Sequence, residues 1–399
     1  MRVLISGGGI AGPALAFWLH RYGIEATVVE RASGPRPGGQ AVDVRGAARE
    51  VVHRMGLMPQ VRAATVDERG IATVDAAGRW TSRMPADAFG GEGFVAEIEL
   101  PRGELARVLY EATRDHVDYR FGERVTALHS HGRGVRVELS GGGAEDVDLV
   151  VGADGVHSGV RALAFGPEDS FVRPLGGYIA WFSVPDPGDL RHWYLMYNAP
   201  GGLAAGLRPE SGGTAKAYLS FTSAEPGLER LPVHEQQRLL ADRLSGAGWR
   251  VPALLAAMPT APDFVFDSLS RVSVERWSRG RVVLLGDAGY CGSPLAGLGT
   301  SLALVGAYVL AGELATAGDD VEAACAAYQD RLRDYVEAGT QLPPGGIGGY
   351  APQTATMIRL RALSMRMMLH WPMKQVLAGQ FAKAGAFDLP DYATALRAR

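Results

Sequence analysis

The first thirty residues constrain this chain most, because Ser6-Gly7-Gly8-Gly9-Ile10-Ala11-Gly12 separates two apolar patterns of different period. Before the run, Val3, Leu4 and Ile5 read as a short buried strand; after it, Leu15, Ala16, Leu19 and Tyr22 recur at helical spacing. The glycines therefore occupy a strand-to-helix turn. A second strand, Ala26-Thr27-Val28-Val29, ends in Glu30, eighteen residues past Gly12. An acid at that point of a β-α-β unit is placed to receive the two hydroxyls of an adenosine ribose. Gly7 makes the tight turn, Gly9 lets the backbone approach a pyrophosphate, and Gly12 lets the helix pack closely on the strand. The helix N-terminus offers free amides and the positive end of its dipole to the phosphates. On these residues alone the dinucleotide is NAD or FAD. The competing reading is a glycine-rich surface turn with no ligand, against which Glu30 argues.

A chain of 399 residues holds two or three folded units, and 47% hydrophobic with 21% charged residues is an ordinary globular composition. The net charge of −3 gives no electrostatic case for nucleic acid or for an anionic membrane. Cys291 and Cys325 are too few for a disulfide framework and lack metal-ligand spacing, so a reduced, cytoplasmic protein without a metal is expected. Arg2 followed by an apolar run to Leu19 imitates a signal peptide, but glycines interrupt the run. Residues 288–312 carry no charge and approach membrane-spanning length. Ser293-Pro294 and the glycines at 292, 297 and 299 break that stretch, predicting a helix from about Ser301 to Leu314 that is too short to span.

Further along, a Gly/Pro-rich loop at 33–40 leads to the alternating Ala41-Val42-Asp43-Val44 and a helix from about Gly46 to Met55, with Arg45 at the junction. Residues 65–83 shift to short strands and turns. Glu97-Ile98-Glu99-Leu100 then returns to a helix that starts at Pro101 and has Leu105, Val108 and Leu109 on its apolar face. Asp148-Leu149-Val150-Val151 and Val282-Val283-Leu284-Leu285 read as buried strands, ending in Gly152-Ala153-Asp154-Gly155 and Gly286-Asp287. Residues 171–221 are the longest β-rich passage, and most of their aromatics are expected in the sheet core. A methionine-rich helix is expected near Met357–Leu369, its methionines serving as adaptable packing.

Three separated motifs together resemble the flavoprotein monooxygenases of the p-hydroxybenzoate hydroxylase type, nearest their tetracycline-inactivating and polyketide-tailoring branch. They are Gly7 to Gly12 with Glu30; Gly152-Ala153-Asp154-Gly155-Val156-His157-Ser158 followed by Arg161; and Gly286-Asp287-Ala288 leading into Pro294-Leu295-Ala296-Gly297-Leu298-Gly299. The resemblance implies an α/β fold: a Rossmann-like FAD-binding domain from residues 1–64, 100–170 and 276–335, an inserted β-sheet substrate domain from 65–99 and 171–275, and C-terminal helices over 336–399. It implies non-covalent FAD held by Gly7, Gly9, Ile10, Ala11, Gly12, Glu30, Arg31, Arg45, Arg102, Val125, Asp154, Gly286, Asp287, Pro294, Gly297, Leu298, Gly299 and Thr300. Asp287 would accept from ribityl hydroxyls, with a helix cap as the alternative, and the loop at 294–300 would aim helix amides at the flavin N1 and O2 edge. Asp154-Gly155 is otherwise an ordinary turn, and Arg45 otherwise a solvated surface residue. Where many relatives have His and a Pro-Pro or Thr-Pro pair, this chain has Tyr290, Cys291, Ser293 and Pro294; where many have Gln, it has Leu298.

The activity so implied is hydroxylation of an aromatic or polyketide-like small molecule, with NADPH or NADH as a transient donor and O2 activated as a flavin C4a-hydroperoxide. The protein's share is positioning and a dry cavity. Tyr178, Phe182 and Trp193 are the expected substrate contacts, and no catalytic base is assigned; His157, His192 and His234 stand out no more than any histidine. The alternatives are a reductase or dehydrogenase of the same fold and a flavin-binding protein without turnover. A halogenase is disfavoured because no lysine precedes Lys216.

Overall fold

The computed structural model describes residues 1–36, 38–90, 96–370, 373–375 and 387–393. Among these, a six-stranded sheet runs in the order Ser278–Arg279, Val282–Leu284, Leu149–Gly152, Arg2–Ser6, Glu25–Glu30, Asp118–Phe121. Its pairings are parallel except at the Ser278–Arg279 edge. The central strands are continuous aliphatic runs because both sheet faces are covered, and Leu4, Ile5, Val150, Val151 and Val283 are fully buried.

The helices Ala11–Arg21 and Gly299–Ala317 pack against each other beside this sheet. The second corrects an expectation. It runs 19 residues rather than stopping at Leu314, so its length and apolarity alone would allow it to cross a membrane. Its composition has another cause: 78% of its apolar window is buried inside the protein. A helix apolar on every side is what an all-round protein environment requires.

An eight-stranded sheet runs Tyr290–Cys291, Val265–Ser273, Val172–Pro185, Thr214–Thr222, Leu203–Pro209, Trp193–Ala199, Gly70–Val74, Trp80–Pro85. It is antiparallel except where Trp193–Ala199 pairs with Gly70–Val74. Alternate residues point to opposite faces. Tyr178, Phe182, Leu195, Tyr197, Leu219 and Phe221 share one core with the helices Val233–Arg243 and Val251–Ala257. Trp181, Tyr194 and Met196, each one residue out of step, face the other way, toward the end of the six-stranded sheet.

Two smaller sheets complete the frame. One joins Val125–His131, Gly134–Leu139 and Ala144–Val147; the other pairs Ala41–Asp43 with Glu99–Pro101, setting Asp43 opposite Glu99. The helix Ala355–Met367 packs along Trp80–Pro85 and Trp193–Ala199. Part of the stretch expected to form C-terminal helices lies outside the described residues.

Candidate functional site

A cavity of about 1870 Å³ opens where the strands Arg2–Ser6, Glu25–Glu30, Leu149–Gly152 and Val282–Leu284 end, and it continues beneath the inner face of the eight-stranded sheet. The crevice outside the carboxyl ends of a parallel sheet is where such folds take ligands. Gly7, Gly9, Ile10, Ala11, Glu30, Arg31, Arg45, Arg102, Val125, Asp154, Asp287, Pro294, Gly297, Leu298, Gly299 and Thr300 all line it. Gly12 and Gly286 lie behind the wall. A Cβ on Gly12 would sit 1.9 Å from the Gly7 carbonyl oxygen, so the helix can approach the strand only with glycine there. Gly7 has φ +116°, and a Cβ there would meet the Ala153 carbonyl at 2.3 Å.

Glu30 is held in place by the backbone around it. Its Oε2 accepts from Gly8 N at 2.7 Å and its Oε1 from Ala32 N at 2.8 Å. Asp154 is also occupied internally, accepting from Ser158 Oγ and from Val160 N at 3.1 Å, so its carboxylate organises the start of the helix Gly159–Ala164.

At the far end of the cradle, the helix Gly299–Ala317 begins at the cavity wall with no side-chain cap on its N-terminus. Burial pushes the Asp287 carboxyl upward, opposed by a hydrogen bond with Cys291 and by Arg102. The Cys291 thiol is itself raised well above its ordinary value by burial and by Asp287, which keeps it protonated and unreactive. Arg45 is buried rather than solvated, and it pairs with Asp43 at 2.5 Å. The residues therefore fit FAD: bare backbone is free to face a pyrophosphate, an acid ends the second strand, and a buried acid stands beside an uncapped helix end.

The other half of the cavity contradicts the expected substrate contacts. Phe182 has no exposure and Tyr178 stacks on Phe221 and Phe266, both in the opposite core. Trp193 lies against that same core, at the outer surface. The error is one of parity, since a shift of one residue in a strand exchanges its faces. The cavity instead receives Trp181, Tyr194 and Met196, with Ile71 and Met84 from the neighbouring strands. The methionine-rich helix adds Met357, Leu360, Arg361, Met365 and Met368, so its methionines line a chamber as well as pack.

A buried charge cluster went unread in the sequence. Arg208 pairs with Glu68 at 2.6 Å and closely with Glu99, and its guanidinium lies 5.1 Å from the Tyr194 ring centroid. Burial pushes Glu99 well above the usual carboxylate range; Arg208 opposes this, while Asp43 and Glu68 add to it. Asp43, Glu99 and Arg208 all line the cavity. His157, on the cavity wall, bonds Glu168 at 3.0 Å and Asp267 at 3.2 Å, and these carboxylates push it up to about 9. His192 and His234 are exposed.

A parallel-sheet cradle of this kind, continuous with a chamber under a second sheet, is the arrangement of a dinucleotide-binding enzyme. The family described as an FAD binding domain matches residues 1–342, and the chain belongs to this family of flavin-dependent monooxygenases. A flavin-dependent monooxygenase from an unknown prokaryotic organism is 38% identical over 84% of this chain and 87% of its own length. An uncharacterized protein of Mycobacterium tuberculosis (strain CDC 1551 / Oshkosh) is 43% identical over 88% of this chain and 94% of its own. The crystal structure of the tetracycline destructase Tet(55) superimposes with a TM-score of 0.81 at 33% identity, covering 98% of each chain.

Proposed function

We propose that this monooxygenase holds FAD non-covalently along the cradle and takes electrons from NADPH or NADH as a transient donor. In this reading it adds one oxygen atom of O2 to an aromatic or polyketide-like molecule in the chamber, while the donor's two electrons and two protons reduce the other to water. The observation that carries the reading is continuity: the glycine cradle and the chamber under Trp181 and Tyr194 are one cavity. Similarity to a tetracycline destructase supports a polyketide-like substrate class.

Bound FAD supplies the electron storage and oxygen activation. The chain's own residues do the rest. Gly7 and Gly9 admit the pyrophosphate, Glu30 meets the adenosine ribose, and Asp287 accepts from ribityl hydroxyls. The uncapped amides at Gly299 and Thr300 would hold the cofactor's ring edge and favour negative charge there, a preorganised dipole effect. Trp181, Met196 and Met365 exclude water from the reacting centre, and Arg208 over Tyr194 orients polar groups of the substrate. Residues 1–64, 100–170 and 276–335 form the cofactor half in this reading, and 65–99 with 171–275 the substrate half.

The test is oxygen uptake and NADPH oxidation by the FAD-loaded protein across a panel of aromatic and polyketide compounds. Stimulation by some of them, with an oxygenated product by mass spectrometry, is expected. Reduction of the substrate without oxygen incorporation would select the reductase alternative. Tight FAD binding with no turnover across the panel would select a binding protein.

A further inference from the structure

Trp193 belongs to a surface pocket on the face of the eight-stranded sheet turned away from the cavity. Five residues line it: Trp80, Trp193, Arg69, Arg83 and Arg191. The pocket is built into the backbone. Gly70 pairs with Trp193 in parallel register at φ +146°, and a Cβ there would come within 2.8 Å of Trp193 Cζ3, so the indole lies against bare main chain. Trp80 packs on Trp193 with ring centroids 5.1 Å apart and still leaves 40% of its surface open to solvent. Arg191 and His192 are consecutive non-glycine residues with φ of 54° and 64°, a conformation that L side chains rarely adopt. The turn is held there because the His192 carbonyl accepts from Arg69 N at 2.7 Å, and it delivers Arg191 to the pocket rim.

The electrostatics are one-sided. Among the described residues, the guanidinium groups of Arg69, Arg83 and Arg191 have no ion pair or hydrogen bond, and all three residues are exposed. Two acids next to Arg69 in the chain have other partners: Asp67 lies 3.2 Å from His192 Nδ1, and Glu68 turns inward to Arg208 at 2.6 Å. Three like charges beside two aromatic rings lack a counter-charge, and an anion supplies one.

We propose that this pocket is a second ligand site, for a small planar aromatic molecule that carries an anionic group. The ring stacks on the tryptophan pair, and the carboxylate, sulfate or phosphate meets the arginine forks. A cationic ligand would be repelled by the rim. A bare anion would leave the indoles in water, and a neutral aromatic would leave the guanidinium groups unpaired. The site does not depend on the FAD reading, because the sheet separates it from the cavity.

The test is isothermal titration of the FAD-loaded protein with three probes: naphthalenesulfonate, inorganic sulfate, and naphthalenemethanol as the uncharged ring. Naphthalenesulfonate is expected to bind at one equivalent per chain, more tightly than either comparator and more weakly as salt is added. Trp80→Ala, Arg83→Ala and Arg191→Ala should each weaken it by about tenfold, the scale of one stacking or cation contact, while FAD content and Tm stay unchanged. Absence of saturable binding, equal binding of either comparator, or naphthalenesulfonate binding unaltered in all three variants would overturn the assignment.

Discussion

The two ends of the cavity are built from different materials. The cradle end is backbone: Gly7, Gly9 and the uncapped start of the helix Gly299–Ala317 present amides, and one fixed acid, Glu30, closes it. The chamber end is side chain: Trp181, Tyr194, Met196 and Arg208 hang from alternate positions of the eight-stranded sheet, opposite a methionine-rich helix. Backbone leaves no room for adjustment, whereas side chains on a sheet face can be exchanged without moving the sheet. Substitutions at the cradle are therefore expected to abolish cofactor binding, and those in the chamber to retune substrate use.

The largest effect is expected at Gly12→Ala. The new methyl group would overlap the Gly7 carbonyl oxygen, found 1.9 Å from the ideal Cβ position, so helix and strand must separate. Flavin content by visible absorbance should fall to background; retained FAD would show that the packing is looser than described. Next come two neighbours on opposite faces. Phe182→Ala empties a fully buried site and should cost about 3–5 kcal/mol in urea unfolding. Trp181→Ala, on the cavity side, should alter substrate-stimulated NADPH oxidation with a much smaller loss of stability. Equal losses from both variants would contradict the assignment of faces.

Asp287→Ala should weaken FAD binding by about 10–100-fold through loss of a buried hydrogen-bond acceptor, measured by flavin fluorescence titration. Because burial raises the Asp287 carboxyl, wild-type affinity should begin to fall at a higher pH than an ordinary aspartate would give as the solution is acidified. The variant should lose that dependence. The smallest effect concerns His157. It holds its proton up to about 9 in the folded protein, against 6.5 ordinarily. Its contribution to stability is thus complete below 6.5 and lost as the pH rises to about 9. His157→Gln should flatten the dependence of Tm on pH across that window, and an unchanged profile would remove the histidine from the account.

The same contrast explains what could be read from the sequence. The cradle is legible because each glycine has a local backbone reason, set by its neighbours within a few residues. Gly7, Glu30, Asp287 and the loop at 294–300 accordingly come together along one cavity. The chamber depends on parity along Val172–Pro185 and Trp193–Ala199, and both faces of those strands carry aromatics. No polar alternation says which face is inside, so Phe182 and Trp193 are assigned to the wrong side and Trp181 and Tyr194 are missed. Arg208, Glu68 and Glu99 are further from reach, because charges brought together from two strands and the segment leading into a third look like ordinary surface residues in the sequence. Their signal lies only in the ladder that sets Glu99 opposite Asp43. The long apolar helix shows the converse: its composition is legible, but its burial follows from the elements packed around it.

The most direct test of the central claim is the visible spectrum of the purified chain titrated with FAD. A resolved flavin band at one FAD per chain is expected, removed by denaturation without a covalently attached residue, and bleached by NADPH or NADH when oxygen is excluded. A chain that stays colourless and does not alter the spectrum or fluorescence of added FAD would contradict it.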